Sequence, residues 1–351
     1  AYAGIPVTFD KHVADDNSKN ELYAHLQELS GTATNSDANP VICTSGLPTI
    51  ASMWFTLAAE GGTDILMAST SYGGSSELTD LVSLKAPGCF SKHTFDITGT
   101  KDISNAIQTS LDNLASTNST HKHTVLFVEI PTNPDMKVPE MVDLGKMLTE
   151  YQKKTQKKVV LLVDTTFAPG SQVLRKLQEV APDITSMVFI SLSKSVSRGT
   201  TTGGCLVAGH SVEAAALLNR IRGTSQMLDT GATKDQIVFL VSNHKNVETR
   251  CANAYNNARV VGDALCGAVK EFCGGYDMPL AFVSRANADA GFTSSTFSFN
   301  LPAIENAEPG VNEYLAQKYI DLLRVHAVFK PCVSFGQDNG VVYATGTVVS
   351  P

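Results

Sequence analysis

The sequence predicts an α/β fold, with a mainly parallel central sheet, helices on both faces, and a smaller C-terminal α+β unit. Three observations predict it. From Val41 to Ala208 short apolar runs alternate with amphipathic stretches, the pattern of strands joined by crossover helices. The runs are rich in β-branched residues and lack polar alternation, which suits strands covered on both faces. After Gly209 the texture changes to long helical patterns and one alternating segment. The chain divides on this reading into an N-terminal arm (1–19), an α/β domain (20–240) and a smaller α+β domain (241–351).

The elements follow in order. Val41–Cys43 is an early apolar stretch running into Ser45-Gly46-Leu47-Pro48, which opens a helix. Candidate strands are Asp64–Ala68, Val125–Ile130, Val159–Val163, Met187–Ser191 and Cys205–Ala208. Between them the 3.6-residue period predicts helices over Thr49–Ala59, Asp102–Leu114, Val142–Lys154 and Gln172–Val180. Ser116–Thr120 reads as a polar loop. Beyond the sheet, Ser211–Ile221 and Lys234–Cys273 read as helical, the second interrupted or bent. Gly291–Leu301 alternates like an antiparallel strand, and Val311–Leu323 is helical again.

Composition narrows the function. The 351 residues are 43% hydrophobic, ample for a buried core. A net charge of -7 with 27 Lys+Arg argues against a nucleic-acid or anionic-membrane surface, since either needs a basic field. No apolar run approaches the ~18 residues of a membrane span. The N-terminus has no signal-peptide hydrophobic region, and the missing initiator Met fits processing or trimming. Seven scattered cysteines without a C-x-x-C fit reduced thiols in a cytosolic protein. His121-Lys122-His123 reads as a polar loop without further ligands nearby, so no metal site is expected. There is no G-x-G-x-x-G and no G-K-[ST].

Open parallel sheets bind ligands at the carboxyl ends of their strands. The residues there are Pro131-Thr132-Asn133-Pro134, Asp164-Thr165-Thr166-Phe167, Leu192-Ser193-Lys194, Tyr72-Gly73-Gly74-Ser75 and the Ser45-Gly46-Leu47 junction. Taken singly, each has an ordinary reading: a capping aspartate, a solvated lysine, a turn. As a set they suit pyridoxal phosphate. Lysine forms an imine with the aldehyde. A carboxylate opposite the pyridine nitrogen keeps it protonated, so the ring accepts electrons. Helix-start amides at Gly46 and Leu47, with the hydroxyls of Ser191 and Ser193, suit the phosphate. An aromatic stacks on the ring, and Asn133 bonds its 3′ oxygen. Ser191-Leu192-Ser193-Lys194 also satisfies the S-x-x-K acyl-enzyme motif, but K-T-G is absent and a strand, not a helix, leads into Ser191.

The segments TSGLPTI, DILMASTSYGGS, VEIPTNPDMKV, VVLLVDTTFAPG and FISLSKSVSRGTTTGG resemble the Cys/Met-metabolism pyridoxal-phosphate enzymes: cystathionine γ-synthase, cystathionine γ-lyase, methionine γ-lyase and their relatives. Order and spacing match over roughly residues 20–250, with weaker similarity through STFSF and CVSFG. The resemblance implies the type I PLP-dependent transferase fold and γ-elimination or γ-replacement on a sulfur amino acid or activated homoserine. A catalytically impaired relative that keeps the fold is the alternative. It implies Lys194 as the cofactor-binding lysine and proton shuttle, Asp164 at the pyridine nitrogen, and Tyr72 on the ring near the leaving group. Asn133 contacts the cofactor and the substrate carboxylate. Gly46, Leu47, Ser191 and Ser193 hold the phosphate, Thr166 stands beside the ring, and Ser334 lines the substrate site. A homodimer or homotetramer with sites at the subunit interface is implied as well.

Several positions depart from the family pattern. Lys11-His12-Val13 stands where a Tyr-x-Arg usually reaches the neighbouring subunit's phosphate. Thr165 replaces an Asn, and Ser195-Val196-Ser197-Arg198-Gly199 replaces aromatic-x-x-Gly-His. Gly74 matches the cystathionine enzymes, whereas their usual Glu aligns with Asn339. The family's carboxylate-binding arginine belongs to a segment past Pro351, where this sequence stops.

Overall fold

The computed structural model describes residues 16–34, 38–98, 102–117, 119–301, 308, 310–326, 329–331, 334–336 and 340–343. The expectations placed on Lys11-His12-Val13 and Asn339 lie outside them. The first half runs α1 (Asp16–Ser30), β1 (Val41–Cys43), α2 (Gly46–Ala59), β2 (Thr63–Ala68), α3 (Gly73–Lys85), β3 (Phe90–Phe95), α4 (Ile103–Ala115), β4 (His123–Glu129) and α5 (Met141–Thr155). Then come β5 (Lys158–Asp164), α6 (Val173–Val180), β6 (Thr185–Ser191), β7 (Gly204–Ala208) and α7 (Val212–Met227). The C-terminal part holds α8 (Lys234–Asn243), α9 (Val247–Phe272), β8 (Leu280–Ala281), α10 (Arg285–Asp289), β9 (Ser298–Phe299), α11 (Val311–His326), β10 (Lys330–Pro331) and β11 (Val341–Val342).

β1 to β7 form one sheet in the order β1-β7-β6-β5-β4-β2-β3. β2 to β6 pair in parallel, while β7 is antiparallel to both of its neighbours, β6 and β1. β1 therefore points the same way as β6. Six of the seven strands end at one edge of the sheet, and β7 begins there, with Gly204 in register with both Ser191 and Cys43. The mainly parallel sheet is as the sequence predicts.

The period of two divides each strand between two cores. Leu126, Val128, Leu161, Val163, Val188 and Ile190 face one cluster, shared with Leu22, Leu26 and Leu29 of α1 and with α4, α5 and α6. Val125, Phe127, Val160, Leu162, Met187 and Phe189 face the other, against Ile50, Met53, Trp54 and Leu57 of α2 and Leu217, Leu218 and Ile221 of α7. Each fully buried side chain of this size contributes roughly 1.5–3 kcal/mol, so the central strands are held from both faces.

Two expectations need correction, and two elements are new. β3 and α3 were not foreseen in the sequence. The alternating segment Gly291–Leu301 contributes only β9, a two-residue strand antiparallel to β8. Its aromatics instead stack in a row: Phe297 lies 5.6 Å from Phe282 and 6.0 Å from Phe299, which meets Tyr319 at 5.9 Å. His121-Lys122-His123 is not simply a polar loop, since His123 opens β4 and is buried. The interruption expected within the helical stretch 234–273 falls at His244–Asn246, where Asn246 takes a left-handed φ of 57°.

Where β7 meets α2 the backbones touch. A Cβ at Gly204 would lie 2.6 Å from the Ser45 carbonyl oxygen and 2.7 Å from Gly46 Cα, and would also strike Thr49 Oγ1. Gly204→Ala must push the start of α2 off the sheet. It is expected to lower stability by about 1–3 kcal/mol, read by chemical denaturation, and an unchanged midpoint would contradict this packing.

Candidate functional site

The ends of β5 and β6 carry the first group. Asp164 closes β5 with its carboxyl buried, and Oδ1 accepts the Thr166 N–H at 2.8 Å. Thr166 Oγ1 in turn accepts the Ser191 N–H at 2.8 Å, tying the turn after β5 to the last residue of β6. Burial pushes the Asp164 carboxyl above its ordinary range, while the bond to Thr166 and the Lys194 ammonium pull it back.

Lys194 stands in the turn after β6, half-buried. Its Nζ donates to Ser334 Oγ at 2.7 Å, across 140 residues of chain. The ammonium also sits 5.5 Å from the centre of the Phe335 ring, which stacks on Phe167 at 5.0 Å and 22°. Gly336, at φ 99°, brings its backbone against that of Lys194; a Cβ there would lie 2.8 Å from Lys194 Cα. The Ser334–Gly336 segment thus closes over the lysine.

A second group lies at β1 and β2. Ser45 is extended and its side chain does not cap α2, so the first-turn N–H groups of Gly46 and Leu47 have no partner within the helix. Gln236, at the start of α8, donates to the carbonyls of Thr44 and Thr202 at 2.9 and 3.1 Å, fixing this corner. A Cβ on Gly46 would come within 3.9 Å of Ser191 Oγ, which places β6's last hydroxyl beside the start of α2. Tyr72 is the N-cap residue of α3, and its ring passes over Gly74 and beside Leu47. Ser193 is turned to the main chain, where its Oγ accepts the Gly203 N–H at 3.0 Å. Arg198 is exposed at φ 57°.

Two residues here carry no role in the sequence reading. Glu129 ends β4 in register with Asp164, is 7% exposed, and accepts the Tyr72 N–H at 2.6 Å; its carboxyl also accepts the Asn133 N–H. Burial, then the neighbouring Asp164, push Glu129 upward, further than Asp164. Arg250 on α9 donates to the Ser195 and Asn243 carbonyls at 2.8 and 3.1 Å and to the Lys245 carbonyl, tying the lysine turn to the break between α8 and α9. For Glu129 the sequence held a signal: HTVLFVE and KVVLLVD both end an apolar run on a carboxylate.

Lys194, Asp164, Thr166, Ser191 and Ser334 are therefore connected at one sheet edge. Tyr72 and Asn133 meet through Glu129, and Gly46 and Leu47 border both groups. These donors fit pyridoxal phosphate. A buried carboxyl and an amine share one site, uncapped helix-start amides stand beside hydroxyls, and Thr165 Oγ1 is buried without a hydrogen-bond partner. Among the described residues no cluster of His, Cys, Asp and Glu could hold a metal ion.

A family model described as "Cys/Met metabolism PLP-dependent enzyme" matches residues 17–229, more than half of the chain. A solved cystathionine gamma synthase from Xanthomonas oryzae pv. oryzae, in complex with aminoacrylate and cysteine, is 20% identical. That match covers 93% of this chain and 73% of the other, with a TM-score of 0.64. CalE6 from Micromonospora echinospora, solved as a cystathionine gamma lyase, is 17% identical over 93% of this chain and 74% of its own, with a TM-score of 0.59. Its apo form, described as a methionine gamma lyase, gives 0.62 at 17% identity, covering 93% of this chain and 76% of the other. At these identities the solved structures speak for the fold. No curated protein sequence matches.

Proposed function

Since the chain belongs to the Cys/Met metabolism family of pyridoxal-phosphate-dependent enzymes, we propose that it eliminates or replaces the γ-substituent of a sulfur amino acid or activated homoserine. The observation that supports the reading is the pairing, at neighbouring strand ends, of the buried Asp164 carboxyl with a lysine close enough to stabilise its charge. When bound, the cofactor supplies an electron sink for negative charge developing at the substrate Cα.

The residues do the rest. With pyridoxal phosphate bound, Lys194 Nζ would be the group that holds its aldehyde, and the free amine would carry protons to and from the substrate Cα and along the substrate. Ser334 Oγ, 2.7 Å away, holds that amine in place. Asp164 would accept the ring N–H⁺ in a charge-assisted bond, its orientation fixed by the Thr166 N–H. The Gly46 and Leu47 amides at the α2 N-terminus, with Ser191 beside them, would hold the phosphate. Ser193 stiffens the lysine turn through Gly203. Tyr72 would stack on the ring and give its phenolic proton to the leaving group, while Asn133 would hold the cofactor oxygen and the substrate carboxylate. Phe167 and Phe335 exclude water from the lysine side.

A side chain at Gly74 would lie 2.8 Å from Tyr72 Cε1, so the tyrosine ring takes the space next to the main chain at this position. As part of the same reading the protein is a cytoplasmic homodimer or homotetramer. Among the described residues no helix is long and apolar enough to cross a membrane.

Purified protein with pyridoxal phosphate, given cystathionine, methionine or an O-acylhomoserine in turn, with and without a thiol such as cysteine, is expected to release a 2-oxo acid or form a γ-substituted thioether from at least one. A protein that shows the cofactor's visible band yet turns over none of them would leave the impaired-relative reading standing instead.

A further inference from the structure

Glu129 carries more than its place at a strand end requires. It closes β4, which lies between β2 and β5 in the sheet. Its carboxyl accepts the N–H of Tyr72, at the β2–α3 junction, and that of Asn133, in the loop after β4. One buried side chain thus joins the main chains of the two loops that bear the proposed ring-stacking and oxygen-binding residues. A hydrophobic side chain would also fill this strand end, but it would leave the part-buried Tyr72 N–H and the Asn133 N–H without the acceptor they share.

We propose that Glu129 is a positioning residue, which fixes Tyr72 and Asn133 over the ring by accepting both of their main-chain N–H groups. The proposal rests on the reading of the site given above. Its charge state follows from its neighbours. Two buried carboxyls at adjacent strand ends do not both ionise readily. Asp164 has the Lys194 ammonium and the Thr166 N–H to hold its anion; Glu129 faces only Asp164 and neutral donors among the groups that shift it. The proton the pair retains therefore belongs on Glu129, which leaves Asp164 as the anion for the ring nitrogen. What Glu129 must supply is an acceptor, and a neutral one serves.

Amide hydrogen exchange by mass spectrometry on the full chain, alone and saturated with pyridoxal phosphate, tests this in Glu129→Gln and Glu129→Leu. With leucine, exchange in the segments containing Tyr72 and Asn133 is expected to accelerate about tenfold or more, and the dissociation constant for pyridoxal phosphate, read from the visible band, to rise by a similar factor. Glutamine is expected to restore both to within about threefold of wild type. Should the leucine variant not fold, Glu129→Asp, one methylene shorter, must show the faster exchange at Tyr72. Wild-type exchange in both segments of the leucine or aspartate variant would overturn the proposal. So would a glutamine variant as impaired as leucine, because the charge and not the acceptor would then matter. A wild type without any cofactor band defeats the functional reading separately, and the exchange comparison on the chain alone remains decisive for Glu129.

Discussion

Lys194→Ala is expected to lose the visible absorption of the cofactor complex and to slow 2-oxo acid release on the order of 10³-fold or more. The amine supplies both the covalent hold on the aldehyde and the proton movements at Cα, and a positioned acid–base group alone is worth about 10²–10⁴-fold. The fold has little reason to suffer. Lys194 is half-buried in a turn, and its neighbours Val196 and Leu192 provide the core contacts there. Circular dichroism should match wild type. A variant that keeps both the band and the activity would remove Lys194 from the chemistry.

Asp164→Asn is expected to cost about 10²–10³-fold in kcat, the usual loss when one preorganised electrostatic partner is removed from a buried site. Asparagine keeps the size and can still accept the Thr166 N–H, so the turn between β5 and β6 survives, while the negative charge opposite the ring nitrogen is gone. A second effect runs the other way. Without a carboxylate in register beside it, Glu129 loses one of the two influences that raise it, and part of the missing anion shifts to β4. The residual rate in Asp164→Asn should therefore fall further when Glu129→Gln is added, which a double-mutant cycle reads directly. A single variant with wild-type kcat would show that the ring nitrogen needs no anion here.

The sheet was legible wherever strands are buried on both faces. TDILMA, HTVLFVE and KVVLLVD are continuous apolar runs ending in loops, and each is a strand. β3 escaped because FSKHTF is an edge strand, whose Lys92 leaves the sheet to bond Ser76 and Asp80 of α3. α3 escaped for a related reason. It opens on two glycines, and its buried residues are Ser75 and Thr79, the threonine hydroxyl bonding back to the Ser75 carbonyl. A polar buried face has no hydrophobic period to read. The alternation in GFTSSTFSFNL was real, but aromatic stacking and the Ser298 bond to the Pro134 carbonyl account for it, with little strand pairing.

At the site, the strand-end rule located the lysine, the aspartate and the loop residues because sheet direction alone gathers them. Ser334 came only from the resemblance, since 140 residues separate it from the lysine it touches. Glu129 and Arg250 act through main-chain groups of residues distant in sequence, and a spacing pattern says nothing of such partners until the chain is folded.

The most direct test is chemical. Borohydride reduction of the protein with bound pyridoxal phosphate, followed by peptide mass spectrometry, should leave one phosphopyridoxyl group on the peptide containing Lys194. Its attachment to any other lysine, or its absence after reduction of a coloured protein, would contradict the account at its root.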